Sequence, residues 1–522
     1  MSGRYPALRP YARGEVIAMT AAESVVFDQR AIEELGVPQP VLMENAGRSA
    51  ALVLDELYPT GRIVGVIGTG NNGGDALVML RTLQTWGRDV YGVLVADRTT
   101  EEQLLHDWPV PLTLDSDLDE EDWAGLLGSA AVLVDGVLGT GADGAPRERQ
   151  TRAIELMNRT GCPVVAVDVP SGIDPTTGSV PGVAVHADVT VSFGASKIGC
   201  LLQPARSFVG RLVTVEIAFP PHRKGDSEAL VVTPAWAHAR VPIRTGDTHK
   251  KAVGSVSVVA GQIGMAGAAL LAGRAAFRSG VGLLRICTAP ENRVIVQSEI
   301  PEAIWVDASD PIALGDALEQ SDAVAVGPGL GTDAAALGVL ERIAHGPAIP
   351  TILDADALNI AATGSFDLAE FAAGRPVLIT PHRGEVSRLL SEAGKGDTPT
   401  IARVTAALFG CAVLLKGAPS VVAALDCAVL IDSQTSTDLA VAGMGDALTG
   451  ACAAFLAQGL SPQEAGALGL FFTGRAAHIA GRGAGLVPSD VIRWIPEALL
   501  ETTTAVSELE LPFVIFDTDP LS

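Results

Sequence analysis

The stretch Gly68-Thr69-Gly70-Asn71-Asn72-Gly73-Gly74-Asp75, which follows the apolar run Ile63–Ile67, decides the fold of the first half of the chain. Glycines spaced in this way between a strand and a helix let bare backbone amides approach an anionic ligand. A second loop, Ala442-Gly443-Met444-Gly445-Asp446, lies far along the chain and also ends in an acid. We therefore expect the protein to handle a phosphate-bearing ligand at two sites.

The size and charge of the chain limit what it can be. A chain of 522 residues is too long for one compact core, so we expect at least two domains. A formal net charge of -24 argues against nucleic-acid binding, which needs a basic surface. A small anion is still a possible ligand, because helix N-termini and local amides attract it.

The cysteines and the apolar runs indicate the compartment. The chain has six cysteines and no CxxC pair, which predicts a reduced protein without a disulfide framework or a zinc site. No segment reaches the roughly 18 uninterrupted apolar residues of a membrane span. We expect a cytoplasmic protein with no membrane partner.

Short apolar runs alternate with helical patterns in both halves. Spacings of about thirty residues between strands predict βαβ units, parallel sheets and an α/β fold of two three-layer α/β domains. The predicted strands are Ile63–Ile67, Val90–Val95, Ala131–Val134, Val164–Val167, Val189–Phe193 and Leu212–Ile217 in the first half, and Ser255–Ala260, Leu283–Cys287, Ala323–Val326, Thr351–Leu353, Val377–Ile379 and Val413–Leu415 in the second. We divide the chain into an N-terminal tail (1–16), a first domain (17–220), a linker (221–245), a second domain (246–500) and a C-terminal tail (501–522).

Polar side chains follow several strands of the first half. Asp135 and Asp168 each end an apolar strand, and Asn72 lies in the first glycine loop. Side chains at the carboxyl ends of parallel strands face the ligand crevice, although a single acid there often only caps the next turn. Asn, Asp and Ser oxygens together suit a hard cation.

The motifs LMENAG, GTGNNGGD, VDGVLGTG and VDVPSGID, in this order, resemble the NAD(P)H-hydrate epimerase family over about residues 17–220. The resemblance implies a Rossmann-like fold and interconversion of the C6 epimers of hydrated NADH and NADPH (NADHX and NADPHX). It also implies potassium binding by Asn72, Asp135 and Ser171, with Asp168 as the catalytic proton shuttle. It places the hydrate-binding positions at Asn71, Asn72, Gly73, Gly74, Asp75, Gly139, Thr140, Gly141, Ala142, Asp143, Gly144, Ala145 and Asp168. Ala76 stands where a glycine is often found.

Two other interpretations of the first half stay open. GxGxxG with Asp97 at the end of the next strand also fits an NAD-linked dehydrogenase. The side-chain amides of Asn71 and Asn72, and an acid at Asp75 beside a pyrophosphate, argue against that enzyme. The first half would alternatively be a binding or scaffold module without activity.

The second loop places Asp446 at the start of a helix. A GxGD sequence there offers amides to a transferring phosphoryl group and a base to a hydroxyl. Several further strand ends of this half carry polar groups or glycines, which are hard to explain as caps alone. They are Gly327-Pro328-Gly329-Leu330-Gly331, Asp354, Asp356, Pro381-His382-Arg383-Gly384-Glu385 and Lys416-Gly417.

This half resembles the ribokinase-like superfamily and, more narrowly, the ADP/ATP-dependent NAD(P)H-hydrate dehydratases over about residues 245–500. The matching pieces are His249-Lys250, Gly264–Ala268, GPGLG, PHRGE, KGAPS and AGMGDALTG. The resemblance implies catalysis by Asp446 and hydrate binding by Ala268, Gly329, His382 and Asp446. It implies nucleotide binding by Lys416, Gly417, Ala418, Pro419, Ser420, Gly443, Met444 and Gly445, within a stretch that begins at residue 436. Lys251 and the run Gly443-Met444-Gly445 depart from the usual pattern.

Together the two resemblances imply a repair enzyme for hydrated NADH and NADPH. It would epimerise the R and S hydrates and dehydrate the S epimer with ADP as phosphoryl donor and Mg²⁺ as cofactor, releasing AMP and phosphate. We also expect a homo-oligomer. A ribokinase-like small-molecule kinase fused to a Rossmann-like binding module is the main alternative, and it predicts a stable phosphorylated product.

Overall fold

The computed structural model describes residues 15–98, 104–223, 225–244, 253–390, 396–434, 436–501, 509, 511 and 513–518. The chain forms two compact units, one of Met1–Leu230 with Thr504–Ser522 and one of Val231–Thr503. The predicted His249-Lys250 motif, with Lys251, and most of the predicted N-terminal tail lie outside the described residues. No helix within the described part of the chain has both the length and the apolar character of a membrane span.

Strands and helices alternate along both units, as the sequence predicts. The strands are β1 (Val16–Met19), β2 (Ile63–Ile67), β3 (Val90–Leu94), β4 (Leu112–Leu114), β5 (Val132–Gly136), β6 (Val164–Val167), β7 (Val189–Phe193), β8 (Ser196–Lys197), β9 (Arg211–Val215), β10 (Ala229–Val232), β11 (Ser255–Val259), β12 (Leu283–Thr288), β13 (Ile304–Asp307), β14 (Ala323–Val326), β15 (Thr351–Leu353), β16 (Val377–Ile379), β17 (Ala412–Leu415), β18 (Val421–Ala423), β19 (Val429–Asp432) and β20 (Val514–Thr518). The helices are α1 (Ala21–Gln29), α2 (Gln39–Leu57), α3 (Asn71–Thr85), α4 (Glu120–Gly128), α5 (Glu148–Arg159), α6 (Ile198–Leu201), α7 (Arg206–Val209), α8 (Pro234–His238), α9 (Ala266–Arg278), α10 (Arg293–Glu299), α11 (Pro311–Glu319), α12 (Ala334–His345), α13 (Asp356–Ala362), α14 (Leu368–Ala373), α15 (Arg383–Leu390), α16 (Thr398–Phe409), α17 (Met444–Ala457), α18 (Pro462–Ala480) and α19 (Pro488–Leu500).

The sheet of the first unit has the strand order β20-β9-β7-β6-β5-β2-β3-β4. All neighbours are parallel except β20 and β9. The chain leaves β2 toward β3 on one side, and β5 lies on the other side, so a crevice opens at the carboxyl ends of β2 and β5. There, a Cβ placed on Gly68 would lie 1.9 Å from the carbonyl oxygen of Val137. Only glycine permits this approach of the two loops.

Both faces of this sheet are covered by helices. Ile63 and Ile67 of β2 pack in one apolar cluster with α2 and α3. Val64 and Val66 point the other way, into a cluster with Trp123 of α4 and α5. Strands that are buried on both faces read as continuous apolar runs, which is why the sequence predicts them well. The predicted three-layer α/β architecture is confirmed for this unit.

The C-terminal residues complete the first sheet. β20 pairs with β9 in an antiparallel ladder, and Arg211 holds Asp517 through two hydrogen bonds of 2.9 and 2.8 Å. Phe516 is only 1% exposed. The prediction of a tail at 501–522 is wrong for Val514–Thr518, which form an edge strand of the first sheet. The predicted linker, residues 221–245, likewise contains β10 and α8.

In the second unit the strands pair in the order β13-β12-β11-β14-β15-β16-β17-β18-β19. The pairs are parallel up to β17, and β18 and β19 then return as antiparallel neighbours. The alanine-rich helices α9 and α17 pack on each other inside this unit. A Cβ on Gly450 of α17 would lie 2.0 Å from the carbonyl oxygen of Ala272 of α9.

Candidate functional sites

A cavity of about 650 Å³ opens at the carboxyl edge of the first sheet. Its wall includes α1 and α2, the first glycine loop and the loop Gly139–Ala145. Eleven of the predicted site residues line it, namely Asn71, Asn72, Asp75, Gly139, Thr140, Gly141, Ala142, Asp143, Gly144, Ala145 and Asp168. Gly73 and Gly74 lie behind this wall, where a Cβ on either residue would come within 3.1 Å of the Arg98 guanidinium.

The first glycine loop ends at the N-terminus of α3. Gly70 is the N-cap residue, and no side chain caps the helix. The space where a Cβ of Gly70 would lie is open. Arg98 donates hydrogen bonds to the carbonyl oxygens of Gly68 (2.6 Å) and Gly70 (2.8 Å) and so holds the loop. The uncapped amides of the first turn therefore remain available to an anion.

The three predicted potassium ligands meet around Leu138. Asn72 donates to the carbonyl oxygen of Leu138 (2.7 Å), and the Leu138 amide donates to Oγ of Ser171 (2.8 Å). Asp135 accepts hydrogen bonds from the Ser171 hydroxyl (2.6 Å) and amide (2.8 Å). Burial raises the pKa of Asp135 to about 6, against the opposing effect of these bonds. Oδ1 of Asn72 is buried and accepts no hydrogen bond from any described residue.

Asp168 lies directly after β6 with a φ of +63°, a conformation that costs a non-glycine residue free energy. Its Oδ1 accepts hydrogen bonds from the ammonium of Lys197 (2.5 Å) and from the amide of Phe193 (3.0 Å). Lys197 also donates to the carbonyl oxygen of Phe193 (3.0 Å), and its side chain is 4% exposed. Lys197 was not predicted as a site residue, because a lysine in a two-residue strand belongs to no recognisable pattern.

Two more acids share this cavity with Asp168. Burial raises the pKa of Asp28 on α1 to about 6; the Lys197 ammonium opposes the rise, and Asp168 adds to it. Burial, Asp168 and Asp28 raise the pKa of Asp75 well above its usual value, against Lys197 and Arg98. The cavity therefore concentrates acids around one buried lysine.

In the second unit, Asp446 lies in the first turn of α17. Gly443, the N-cap residue, has a φ of +85°, and no side chain caps the helix. Burial and the charge of Asp354 raise the pKa of Asp446 to about 6, while Lys416 lowers it and Asp356 adds a smaller upward effect. An acid and unpaired helix amides thus occupy the same end of α17.

Asp354 is the buried partner of this group. Its Oδ1 accepts from the Lys416 ammonium (2.6 Å), and its Oδ2 accepts from the Thr449 hydroxyl (2.7 Å). A Cβ on Gly445 would lie 3.3 Å from the Lys416 nitrogen. Asp354 was noted from the sequence without a function, and Thr449 lies within the motif AGMGDALTG but was not predicted as a site residue.

The other predicted loops reach the same edge of the sheet. Asp356 accepts a hydrogen bond from the Gly331 amide (2.9 Å), which ties the GPGLG loop to this edge. A Cβ on Gly329 would lie 3.2 Å from the Cβ of Ala268, so these two predicted hydrate-binding residues are neighbours. The predicted positions thus converge, and their functions stay predictions.

His382 has a structural function of its own. Its Nδ1 accepts hydrogen bonds from the amides of Gly384 (2.9 Å) and Glu385 (3.2 Å), and Glu385 accepts one from the His382 amide (2.8 Å). His382 therefore stabilises the start of α15. Its side chain remains 54% exposed, and its backbone pairs with Lys416 in a parallel bridge.

The predicted nucleotide segment turns sharply after β17. The Ser420 hydroxyl accepts from the Gly417 amide (3.2 Å) and donates to the Gly417 carbonyl oxygen (3.1 Å). The amide of Lys416 donates to the carbonyl oxygen of Pro381 (2.8 Å). These bonds close the loop Lys416–Ser420 beside the PHRGE loop.

Known proteins match both units. The family described as YjeF-related protein N-terminus matches residues 39–199, and the family described as NAD(P)H-hydrate dehydratase matches residues 256–497. A ribokinase-like superfamily protein of Enterococcus faecalis aligns with 25% identity and a TM-score of 0.48, over 52% of this chain and 94% of that chain. An ADP/ATP-dependent NAD(P)H-hydrate dehydratase of Bacillus subtilis, co-crystallised with ATP and Mg²⁺, aligns with 27% identity and a TM-score of 0.45, over 51% and 96%.

Relatives that match almost the whole chain are described as bifunctional NAD(P)H-hydrate repair enzymes. One from Moorella thermoacetica is 33% identical, and one from Pyrobaculum aerophilum is 36% identical. Each alignment covers 92% of this chain, with 96% and 98% of the respective relative. The chain belongs to the family of bifunctional NAD(P)H-hydrate repair enzymes.

Proposed function

We propose that the first unit interconverts the R and S epimers of hydrated NADH and NADPH, and that the second unit dehydrates the S epimer with ADP. The single observation that carries the proposal is the convergence of a proton-transfer acid and uncapped helix amides in each unit. In the first unit these are Asp168 and the start of α3, on one cavity wall. In the second they are Asp446 and the start of α17.

The first cavity suits a dinucleotide whose reacting ring must be held still. Its volume of about 650 Å³ lies within the range of small-molecule sites. The amides at the start of α3 attract the pyrophosphate. Asp168 then accepts the proton of the C6 hydroxyl of the hydrate. A hydrated nicotinamide carries a hemiaminal at C6, which epimerises when one group moves its proton.

Potassium fits the cluster of Asn72, Asp135 and Ser171. Oδ1 of Asn72 has no hydrogen-bond donor among the described residues. Asn72 and Ser171 both hydrogen-bond to Leu138, and Ser171 hydrogen-bonds to Asp135. Neutral and anionic oxygens of this kind are the ligands that hard cations take. A bound cation would fix the loops after β2 and β5, and hence the cavity wall.

The second unit suits phosphoryl transfer to the hydrate. Asp446 takes the proton of the C6 hydroxyl, whose oxygen forms a bond to the β-phosphorus of ADP while the bond to AMP breaks. The phosphate then leaves C6 with its bonding electrons, and C5 loses a proton to solvent, which restores the C5=C6 bond of NAD(P)H. The α17 amides and Lys416 stabilise the charge of the phosphoryl group.

Magnesium fits this site as a companion of the nucleotide. Asp356 forms no salt bridge among the described residues, and it lies close enough to Asp446 to raise the pKa of that acid. Mg²⁺ is usually held by one or two carboxylates together with phosphate oxygens, so Asp356 would hold it. The ion would neutralise phosphate charge during the transfer.

The proposal also includes a cytoplasmic homo-oligomer. All six cysteines are free thiols, which suits a reducing compartment. Val25 and Val26 of α1 expose 46% and 64% of their surface, and a second copy would cover such apolar side chains. Sedimentation of the purified protein measures the oligomeric state directly.

The test uses a mixture of both epimers of hydrated NADH and follows the absorbance of the dihydronicotinamide. We expect complete recovery of NADH that requires ADP and releases phosphate. Recovery that stops at the S fraction would contradict the epimerase activity but not the dehydratase activity. A stable phosphorylated product without NADH recovery would support the kinase alternative instead.

A further inference from the structure

The carboxylate of Asp168 is held from one side only. Its Oδ1 accepts the Lys197 ammonium at 2.5 Å and the Phe193 amide at 3.0 Å. No described residue hydrogen-bonds to its Oδ2, although Asp168 lines the cavity. One oxygen of this acid is therefore fixed, and the other remains for a ligand.

Lys197 occupies a place that a lysine seldom takes. Its side chain is 4% exposed, and burying an ammonium is costly unless a charge and hydrogen bonds compensate. β8 fixes its backbone by pairing with β1, where Lys197 lies opposite Met19. Asp168 and the Phe193 carbonyl oxygen accept two of the three N–H bonds of its ammonium. The backbone of Lys197 and its ammonium are therefore both held in place.

The backbone of Asp168 adds a second constraint. A φ of +63° places this residue in the left-handed region, which non-glycine residues occupy only at a cost in free energy. Such strain persists where the surroundings over-determine the conformation, and here the Lys197 and Phe193 bonds do so. The strained backbone and the buried cation act on the same carboxylate.

We propose that Lys197 is a positioning residue for the epimerisation, which keeps Oδ1 of Asp168 engaged so that Oδ2 alone meets the C6 hydroxyl of the hydrate. This inference rests on the proposed epimerase function of the first unit. Nothing in the sequence pattern assigns a function to Lys197.

The reaction needs one proton to move between two atoms. Oδ2 takes the hydroxyl proton while the C6–N1 bond breaks, with its electron pair going to N1 and a C6=O double bond forming. Asp168 then returns the proton to N1, which gives an open-chain aldehyde and a neutral amine. Rotation of the aldehyde and the reverse steps close the ring on the other face. The steps balance without a further reactant, and each begins from an ionised carboxylate or ends in one.

Other charges act on the pair from several elements. The carboxyls are Asp28 on α1 and Asp75 on α3, and the neutral thiol of Cys200 on α6 also faces the pair. The guanidinium of Arg98 acts on Asp75, and that of Arg206 acts on Cys200. Two further carboxyls therefore share the cavity with the Asp168–Lys197 pair. Lys197 is the cation that contacts Asp168 directly, so its loss leaves that charge without its nearest stabilising partner.

The test compares Lys197→Gln, Lys197→Met and Lys197→Arg in the full-length protein. We expect kcat for epimer interconversion to fall about 100-fold or more in the two uncharged variants, with KM changed less than about threefold. We expect Lys197→Arg to restore at least tenfold of that loss. In the uncharged variants, the acidic limb of the plot of kcat against pH should move to higher pH. Arg152→Gln removes a cation that pairs with Asp115 elsewhere in this unit and serves as the matched control.

Calorimetric binding of NADP⁺, an unreactive dinucleotide, checks that the cavity is intact. If Lys197→Gln does not fold, Lys197→Met keeps the apolar stem in place, and the Asp168→Asn background supplies a second test. There, replacing Lys197 should cost less than about twofold, because it acts through the missing carboxylate. Full additivity of the two losses, or an uncharged variant within twofold of wild-type kcat, would overturn the inference alone. A wild-type protein without epimerase activity would overturn the proposed function and this inference together.

Discussion

The ammonium of Lys416 lies 2.6 Å from Oδ1 of Asp354. The other oxygen of Asp354 accepts the Thr449 hydroxyl, so this carboxylate is fully engaged. The pair places a cation at the start of α17, where Gly445 leaves room for it. Asp354 therefore holds the Lys416 ammonium in place. Asp446 nearby forms no salt bridge among the described residues and is available as a base.

Gly445→Ala should weaken the dehydratase without unfolding the second unit. The added Cβ would lie 3.3 Å from the Lys416 nitrogen and 3.9 Å from Oδ2 of Asp354. It displaces the ammonium by a few tenths of an ångström and narrows the approach to the α17 amides. We expect ADP-dependent recovery of NADH to fall about tenfold or more. Gly338→Ala in α12, which has open space around it, is the control and should leave the rate unchanged.

Asp446→Asn should abolish dehydration and stabilise the protein. The pKa of Asp446 is raised from 3.8 to about 6, so the folded state binds this proton more tightly than the unfolded state. Stability contributed by the protonated group is present at low pH and is lost as the pH rises through about 6. Removing the charge should add on the order of 1–3 kcal/mol at pH 7 and little at pH 4. Thermal denaturation at both values measures this difference.

The matched control for that variant is Asp310→Asn. Asp310 caps α11 at an exposed helix end, and asparagine caps as well as aspartate does. Its melting temperature and dehydratase rate should both match wild type. In the wild type, kcat should fall as the pH drops below about 6, because the base becomes protonated. A flat profile down to pH 5 would contradict the assignment of Asp446 as base.

Potassium should stabilise the first unit through Asn72. At a concentration about a hundredfold above its dissociation constant, a ligand of the folded state contributes about 2.7 kcal/mol. We expect unfolding in potassium chloride to require more denaturant than in choline chloride of equal ionic strength, and epimerase activity to rise in parallel. Asn72→Ala removes the orphaned Oδ1 and should lose this response. An undiminished response in Asn72→Ala would rule out this cluster as the potassium site.

Phe516→Ala should damage the epimerase and spare the dehydratase. Phe516 is 1% exposed on β20, and truncation of a buried phenylalanine costs about 3–5 kcal/mol. We expect faster hydrogen exchange of the β9 amides and loss of epimerase activity on warming. Thr518→Ala at the half-buried end of the same strand is the control. Equal loss of both activities in Phe516→Ala would contradict an effect confined to the first sheet.

The central strands could be predicted closely from the sequence. The predicted runs Ile63–Ile67, Val164–Val167 and Ala323–Val326 match β2, β6 and β14 residue for residue. Their neighbours and both faces are apolar, so burial alone identifies them. β18 has only three residues, and both β18 and β20 pair antiparallel after turns or prolines. Neither strand therefore shows the continuous apolar run of a central parallel strand.

The candidate sites were predictable where a motif carries them. The glycine loops and the acids at strand ends can be recognised in the sequence, because parallel strands bring their carboxyl ends together. Lys197 and Asp28 line the first cavity from a two-residue strand and a helix outside the sheet, and Arg98 holds the glycine loop. Only the packing of the chain brings these residues to Asp168 and the glycine loop, and no spacing along the sequence encodes it.

β20 has a consequence for how the protein is made. The ribosome delivers all of residues 231–503 before it delivers the last strand of the first sheet. Until then, β9 is an open edge, and such edges invite pairing with other chains. In terms of gene architecture, the second unit is an insertion within the first. A cut after residue 230 would therefore yield an epimerase unit that lacks an edge strand, and the nascent chain completes its first enzyme last.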